Sequence, residues 1–104
     1  MVKKKVILLP TPKKAITTMG DNIRLARLRR KISAEMVAQR AHIGRATYGR
    51  IESGDPGVSI GVIAKVLFVL GLHNDLAILA KDDAFGRKLQ DADIAIKGRA
   101  PKGE

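Results

Sequence analysis

Arg45 and Arg50 are the two side chains whose type and spacing suggest a particular chemistry. They lie five residues apart in the segment RATYGRIE, and on a helix this spacing brings both near one face. A guanidinium group can donate two parallel hydrogen bonds to guanine O6 and N7. Contact of both arginines with phosphate oxygens alone is the alternative. Either interpretation predicts a surface that binds nucleic acid.

Two short helices joined by a tight turn are predicted to position these arginines. Ser33 can cap a helix from Ala34 to about Arg40, because its hydroxyl can accept a bond from a first-turn N–H. His42 and Gly44 then fit a sharp turn of about three residues, since His and Gly tolerate the left-handed conformation better than most residues. The small Ala38 permits the two helices to cross closely.

The second of these helices begins at Arg45 and is stopped by the sequence SGDPG at residues 53–57. Tyr48 and Ile51 are predicted to face inward, and an inward Thr47 is left open, so we expect Tyr48 in the core rather than stacked on a base. Two short helices with a tight connection form a helix-turn-helix, in which the second helix enters the major groove of DNA.

The residues of this corner resemble those of the Xre/Cro/C1-type helix-turn-helix regulators over roughly Met19 to Leu72. The matching positions are Ser33, Val37-Ala38, Ala41, Ile43, Thr47, Ile51-Glu52 and Gly54. The segments NIRLARLRRK, GDPGVSIG, VLFVLGL and GRKLQD resemble more closely HipB-like antitoxins, the DNA-binding partners of HipA-like Ser/Thr kinase toxins. The resemblance implies repression of a promoter that toxin and antitoxin share.

The resemblance also implies individual contacts. Base contacts fall on Arg45, Ala46, Gly49 and Arg50, and a phosphate contact on Thr47; we add Ser33 to the predicted DNA-binding residues. Glu52 matches a position of structural pairing, here with Arg24 or Arg27. The family often has Ser or Thr where this chain has Gly44, so one helix cap is expected to be weaker.

The charge of the 104-residue chain is +10 and is unevenly placed. Residues 1–50 contain thirteen Lys and Arg but two acidic residues, a net charge of +11. Residues 51–80 carry −2 and residues 81–104 carry +1. A basic half that coincides with the helix-turn-helix is expected where one face neutralises phosphates. A solvated basic surface with a lysine-rich tail is the alternative.

The N-terminal segment, residues 1–17, has two interpretations. The apolar run Val6 to Leu9 before Pro-Thr-Pro favours an edge strand that pairs with the same strand of a second copy, because Ile7 and Leu9 would be costly to leave in water. A disordered basic arm that reaches DNA is the other interpretation. Thr18 or Asp21 is then predicted to cap the first helix.

A later helix, Ile60 to Leu70, is apolar on nearly every face. Ser59 is predicted to cap it and Gly71 to end it. A small monomer can hardly cover such a helix, so we predict a homodimer and, with it, a palindromic DNA site. The predicted interface residues are Val62, Val66, Val69, Leu70, Ile7 and Leu9. A central helix buried within the monomer is the alternative.

The prediction for the whole chain is an all-α, lambda-repressor-like helix-turn-helix bundle of about five helices, with an N-terminal strand or arm. The domain would span residues 18–80. A polar, largely flexible tail would follow at 81–104, with a short turn around Gly86 and a mobile end from Ile94.

Other function classes are less compatible with the sequence. The chain has no cysteine, His42 and His73 are isolated, and no phosphate-binding loop motif occurs, so we expect no metal site, no cofactor and no enzyme. A basic module for RNA or protein binding is a weaker alternative, because the three aromatic residues do not cluster into a stacking platform. We expect a soluble cytoplasmic protein without an export signal.

Overall fold

The computed structural model describes residues 5–97, and in that range all regular structure is α-helical. The helices are α1 (Pro10–Arg29), α2 (Ala34–Arg40), α3 (Arg45–Glu52), α4 (Ile60–Leu70), α5 (Asn74–Ala77) and α6 (Ala84–Lys97). The predicted all-α helix-turn-helix bundle is confirmed, with six helices among the described residues where about five were expected. No helix in residues 5–97 is long and apolar enough to cross a membrane.

The start of α1 corrects the sequence prediction. Thr18 and Asp21 do not cap the helix but lie inside it, because α1 already begins at Pro10. Proline suits a first turn, since its ring fixes φ near the helical value and the first N–H groups of a helix have no partner within it. The Pro-Thr-Pro sequence therefore starts a helix instead of closing a strand.

Residues 5–9 form no strand and no helix, and Leu9, the residue before α1, is extended. A strand needs a neighbour to pair its N–H and C=O groups, and the described part of the single chain supplies none. The single chain thus carries an arm, and strand pairing with a second copy stays a prediction. Of the basic run at residues 3–5, only Lys5 lies within the described residues.

The predicted helix ends are confirmed at four positions. Ser33 Oγ accepts a hydrogen bond from the N–H of Met36 at 3.0 Å, and Ser59 Oγ accepts one from the N–H of Val62 at 3.2 Å. His42 takes the left-handed conformation in the turn between α2 and α3, with φ 56°. Gly71 ends α4 in the same conformation, with φ 76°.

The core lies between α1, α2, α3 and α4, and it contains the predicted Tyr48, which is fully buried. Close approach of α1 to the end of α3 depends on two glycines. A Cβ at Gly20 would lie 2.6 Å from the carbonyl oxygen of Ile51, and one at Gly54 would lie 2.7 Å from the Cα of Thr17. The buried apolar residues are Ile23, Ala26, Val37, Ala38, Ala41, Tyr48, Ile51, Ile63, Val66, Leu67 and Leu70.

The chain divides into two compact units between Asn74 and Asp75. In the second unit, α6 replaces the short turn predicted around Gly86. Asp83 Oδ1 accepts a hydrogen bond from the N–H of Gly86 at 3.0 Å, as an N-cap does, and this explains why a helix begins here. The predicted mobile end overlaps α6 at residues 94–97, and its remainder, residues 98–104, lies outside the described residues. The division into residues 1–17, 18–80 and 81–104 stays a prediction.

Candidate nucleic-acid interface

Helix α3 has one face fixed to the core and one face in solvent. Tyr48 and Ile51 are buried, whereas Arg45, Ala46 and Arg50 are exposed. The other two predicted DNA-binding residues of α3, Thr47 and Gly49, are partly exposed. Four of the five residues, all but Thr47, lie on the side of the helix opposite the core residues. The structure thus gathers the predicted base-contacting residues into one outward surface, which we call the α3 face (Arg45, Ala46, Gly49, Arg50).

The inner side of α3 is held to α1 by an ion pair. Glu52 Oε2 accepts hydrogen bonds from Arg27 Nε at 2.7 Å and from the Tyr48 hydroxyl at 2.5 Å. Arg27 Nη1 also donates to the carbonyl oxygen of Ile32 at 3.1 Å, which ties the end of α1 to the α1–α2 connection. Of the two partners predicted for Glu52, Arg27 makes the hydrogen bonds. The network fixes how α3 is oriented on the domain.

The ionisation of this network follows from its contacts. Burial by itself favours the neutral form of Glu52, but the hydrogen bonds from Arg27 and Tyr48 outweigh it and lower the pKa of Glu52. The hydrogen bond to Glu52 raises the pKa of Arg27. Burial, with the nearby carboxylate of Glu52, raises the pKa of Tyr48. At neutral pH the network is therefore a carboxylate between a guanidinium and a neutral phenol.

The turn before α3 sets the direction in which the helix leaves α2. The N–H of Ile43 donates to the carbonyl oxygen of Ala38 at 3.0 Å, and Gly44 is the extended residue that precedes α3. Gly44 provides no side-chain cap, as expected for a residue without a hydroxyl. The Ser33 side chain, predicted to meet DNA, is exposed and caps α2. It therefore lies at a helix N-terminus, where backbone N–H groups favour a nearby phosphate.

Arg45 extends along the α3 face over Gly49. A Cβ built on Gly49 would lie 3.2 Å from Arg45 Nη1, which is closer than most side-chain contacts. The missing side chain of Gly49 therefore gives room to the guanidinium of Arg45. This is a structural reason for a glycine in the middle of a helix that is expected to read DNA.

Arg50 has a partner that the sequence analysis did not identify. Arg50 Nε donates to Asp55 Oδ2 at 2.8 Å, and Asp55 Oδ1 accepts from the backbone N–H of Gly57 at 2.7 Å. The Arg50 hydrogen bond is the main reason that the pKa of Asp55 is lowered, and the Gly57 N–H and the charge of Lys5 add to it. The sequence signal was the Asp-Pro-Gly turn, in which Asp commonly bonds the backbone two residues later.

A groove of about 570 Å³ adjoins Arg50 on the surface of the first unit. It is lined by the arm at residues 5–8, by Lys13 of α1, by Arg50 and by the turn at residues 55–57. Lys5 and Lys13 thus lie beside the outer end of the α3 face. The structure thus places Lys5 and Lys13 beside Arg50, a proximity that the sequence alone did not establish.

The residues predicted for a second copy differ in exposure. Val66 and Leu70 are 0% and 3% exposed and pack inside the protomer, so they offer no surface to a partner. Val62 and Val69 are partly exposed, and Ile7 and Leu9 are mostly exposed. On α4 the large apolar side chains left in solvent are instead Ile60 and Phe68, which are 64% and 68% exposed.

Comparison with known proteins identifies a domain that includes this surface. A family model described as a helix-turn-helix domain matches residues 18–78, which is more than half of the chain. Searches of curated proteins and of solved structures each returned no match. Within residues 5–97, no cluster of three or more His, Asp or Glu side chains could hold a metal ion.

Proposed function

Since the chain belongs to the helix-turn-helix domain family, we propose that it is a sequence-specific DNA-binding transcriptional repressor that acts as a homodimer on a palindromic operator. The observation that carries this proposal is the two-sided character of α3. Arg45, Ala46 and Arg50 are exposed while the opposite side is fixed to the core. A rigid helix with exposed arginines suits the major groove, where Arg can pair with guanine.

The charge distribution supports a polyanionic partner. Residues 1–50, which include α2 and most of α3, carry a net charge of +11. Lys5 and Lys13 line the groove beside Arg50, so part of this charge lies next to the α3 face. Lysines of this kind are suited to phosphate contacts, which position a protein on DNA without reading its sequence.

The homodimer is supported by the apolar surface of α4. Ile60 and Phe68 are separated by two helical turns, and Ala64 between them is also partly exposed. The three residues form one stripe, which we call the α4 stripe (Ile60, Ala64, Phe68). A two-fold contact between two such stripes would remove apolar side chains from water and would pair two α3 faces.

A narrower role as an antitoxin rests on the resemblance to HipB-like proteins. In this role the protein would bind a HipA-like Ser/Thr kinase toxin and repress their shared promoter. A gene for a kinase-like protein beside this one, and a stable complex of the two purified proteins, would support this role. Without such a partner, the protein would be a stand-alone Xre-type regulator with the same DNA chemistry.

The experiment that tests DNA-binding repression compares two duplexes of equal length. One is taken from the region upstream of the gene and the other is its scrambled sequence, and both are titrated with protein across a salt series. We expect the native duplex to bind about 10³-fold more tightly at physiological salt, with cooperative saturation. Equal and weak binding that disappears with salt would reduce the protein to general nucleic-acid affinity and contradict the proposal.

A further inference from the structure

Asp55 lies at the end of the α3 face, and its carboxylate has two anchors. Oδ1 accepts from the backbone N–H of Gly57 at 2.7 Å, which fixes the carboxylate on the turn that follows α3. Oδ2 accepts from Arg50 Nε at 2.8 Å. Because the carboxylate is fixed, its bond to Nε restricts the direction of the guanidinium. A long, flexible arginine side chain is thereby held in one place before any ligand arrives.

We propose that Asp55 is a positioning residue that presents Arg50 to a base edge of the operator. The proposal rests on the proposed function in DNA binding. The bond to Asp55 uses Nε, and a guanidinium has two terminal amino groups that can form the paired hydrogen bonds to guanine. The Arg50 side chain is 50% exposed, so these groups can reach a ligand. Asp55 lowers the entropy that Arg50 loses on binding.

Because Asp55 is negatively charged, its positioning role can be distinguished from a purely electrostatic effect on DNA binding. A carboxylate beside DNA repels phosphates, so its removal should strengthen binding to any duplex. Loss of a positioned arginine should instead weaken binding to the operator alone. A positioning residue therefore predicts changes of opposite sign on the two kinds of DNA.

The test uses full-length protein and a duplex enriched from a randomised library by the wild type, with its scrambled sequence for comparison. Asp55→Asn is the main variant, because Asn can still accept the Gly57 N–H and preserve the turn. We expect its affinity for the enriched duplex to fall about three- to fivefold, since an exposed ion pair of less than about 1 kcal/mol can favour the positioned arginine by no more than that. Its affinity for the scrambled duplex should rise about two- to threefold. Asp21→Asn, which removes an exposed carboxylate from α1, is the control for charge.

Arg50→Ala and the double variant show whether Asp55 acts through Arg50. We expect Asp55→Asn and Arg50→Ala to relax the preference at the same base pair. In the Arg50→Ala background, Asp55→Asn should cause no further loss on the enriched duplex, because the side chain that it positions is absent. Circular dichroism establishes that each variant is folded, and Asp55→Ser replaces Asp55→Asn if the latter is not.

Four results would overturn the inference. Asp55→Asn could strengthen binding to both duplexes, in which case Asp55 is only a repulsive charge. Asp21→Asn could change the affinities for the two duplexes in the same way as Asp55→Asn, in which case charge alone explains the effect. The affinity losses caused by Asp55→Asn and by Arg50→Ala could also add in the double variant, in which case Asp55 does not act through Arg50. If the wild type enriches no sequence at all, the proposed function fails first and the inference fails with it, and this outcome is visible before any variant is measured.

Discussion

Glu52 bonds two different side chains on the inner side of α3. Its carboxylate accepts bonds from Arg27 of α1 and from Tyr48 of its own helix, and the Arg27 and Glu52 side chains are only 12% and 15% exposed. Removing one member of such a network leaves the others without their partner in a poorly hydrated place. Arg50 and Asp55 form a similar pair in solvent, so the two pairs differ mainly in burial.

We therefore expect Glu52→Gln to lower the free energy of unfolding by about 1–3 kcal/mol, because a neutral amide cannot balance the charge of the partly buried guanidinium of Arg27. Chemical denaturation of the purified variant measures this change. Asp55→Asn is the matched control and should cost less than about 1 kcal/mol, since exposed ion pairs contribute little. If Asp55→Asn lowers the free energy of unfolding as much as Glu52→Gln does, burial is not what makes the Arg27–Glu52 pair the more stabilising one.

The stability that Glu52 contributes should depend on pH. Its pKa is lowered in the folded protein, so its contribution is complete above the unfolded value of about 4.3 and is lost as pH falls through the lower, folded pKa. The melting temperatures of the wild type and of Glu52→Gln should therefore differ most above about pH 5 and converge in stronger acid. A difference that stays constant down to the acid transition would show that the carboxylate charge is not what stabilises the fold.

At the scale of one helix, Gly49 links the stability of α3 to the placement of Arg45. Gly49→Ala should stabilise the protein by about 0.5–1 kcal/mol, because glycine is a poor residue for a helix interior. The new methyl group would lie 3.2 Å from Arg45 Nη1, so the guanidinium has to move. We expect binding to the operator to weaken about fivefold while the melting temperature rises.

Gly61→Ala is the control for that experiment. Gly61 lies in α4, and the nearest atom to a Cβ there is 4.0 Å away, so only the helix should gain stability. Unchanged operator binding by Gly49→Ala would mean that the position of Arg45 over Gly49 has no part in recognition.

The close packing of α1 on α3 leads to a second prediction, which concerns Gly20. Gly20→Ala should destabilise the fold by about 1–3 kcal/mol, because its Cβ would lie 2.6 Å and 2.7 Å from the carbonyl oxygens of Ile51 and Glu52, and backbone atoms cannot easily move aside. Thermal unfolding compares it with Gly61→Ala, the same substitution in open space. Equal effects of the two variants would show that α1 and α3 can separate without cost.

Local signals explain which elements could be predicted from the sequence. Ser33, Ser59 and Gly71 act through neighbours three or four residues away, so their caps follow from spacing alone. Pro-Thr-Pro is compatible both with the end of a strand and with the start of a helix, and in the structure α1 begins at Pro10. The Arg50–Asp55 bond depends on how the chain turns after α3, which periodicity does not encode.

The sequence also could not show which side of α4 faces the core. A helix that is apolar all round gives no indication of which residues face its own core. The domain buries Ile63, Val66, Leu67 and Leu70, which recur at helical spacing, and leaves the α4 stripe on the outside. Val66 and Leu70 are therefore core residues, although the sequence suggested them for a dimer interface.

At the scale of the whole molecule, the dimer proposal now depends on the α4 stripe. Phe68 is 68% exposed, and two stripes in contact would cover both phenyl rings. Phe68→Ser should therefore convert the dimer into a folded monomer, as measured by sedimentation velocity over a range of protein concentrations. Because a palindromic operator requires two linked α3 faces, cooperative binding to it should be lost together with the dimer.

Phe85→Ser provides the matched control for this last prediction. Phe85 is 71% exposed in the second unit, so the same substitution removes a phenyl ring of similar exposure from a different helix. We expect this variant to remain dimeric and to bind the operator cooperatively. If Phe85→Ser dissociates the dimer while Phe68→Ser does not, the two copies meet through α6 and not through the α4 stripe.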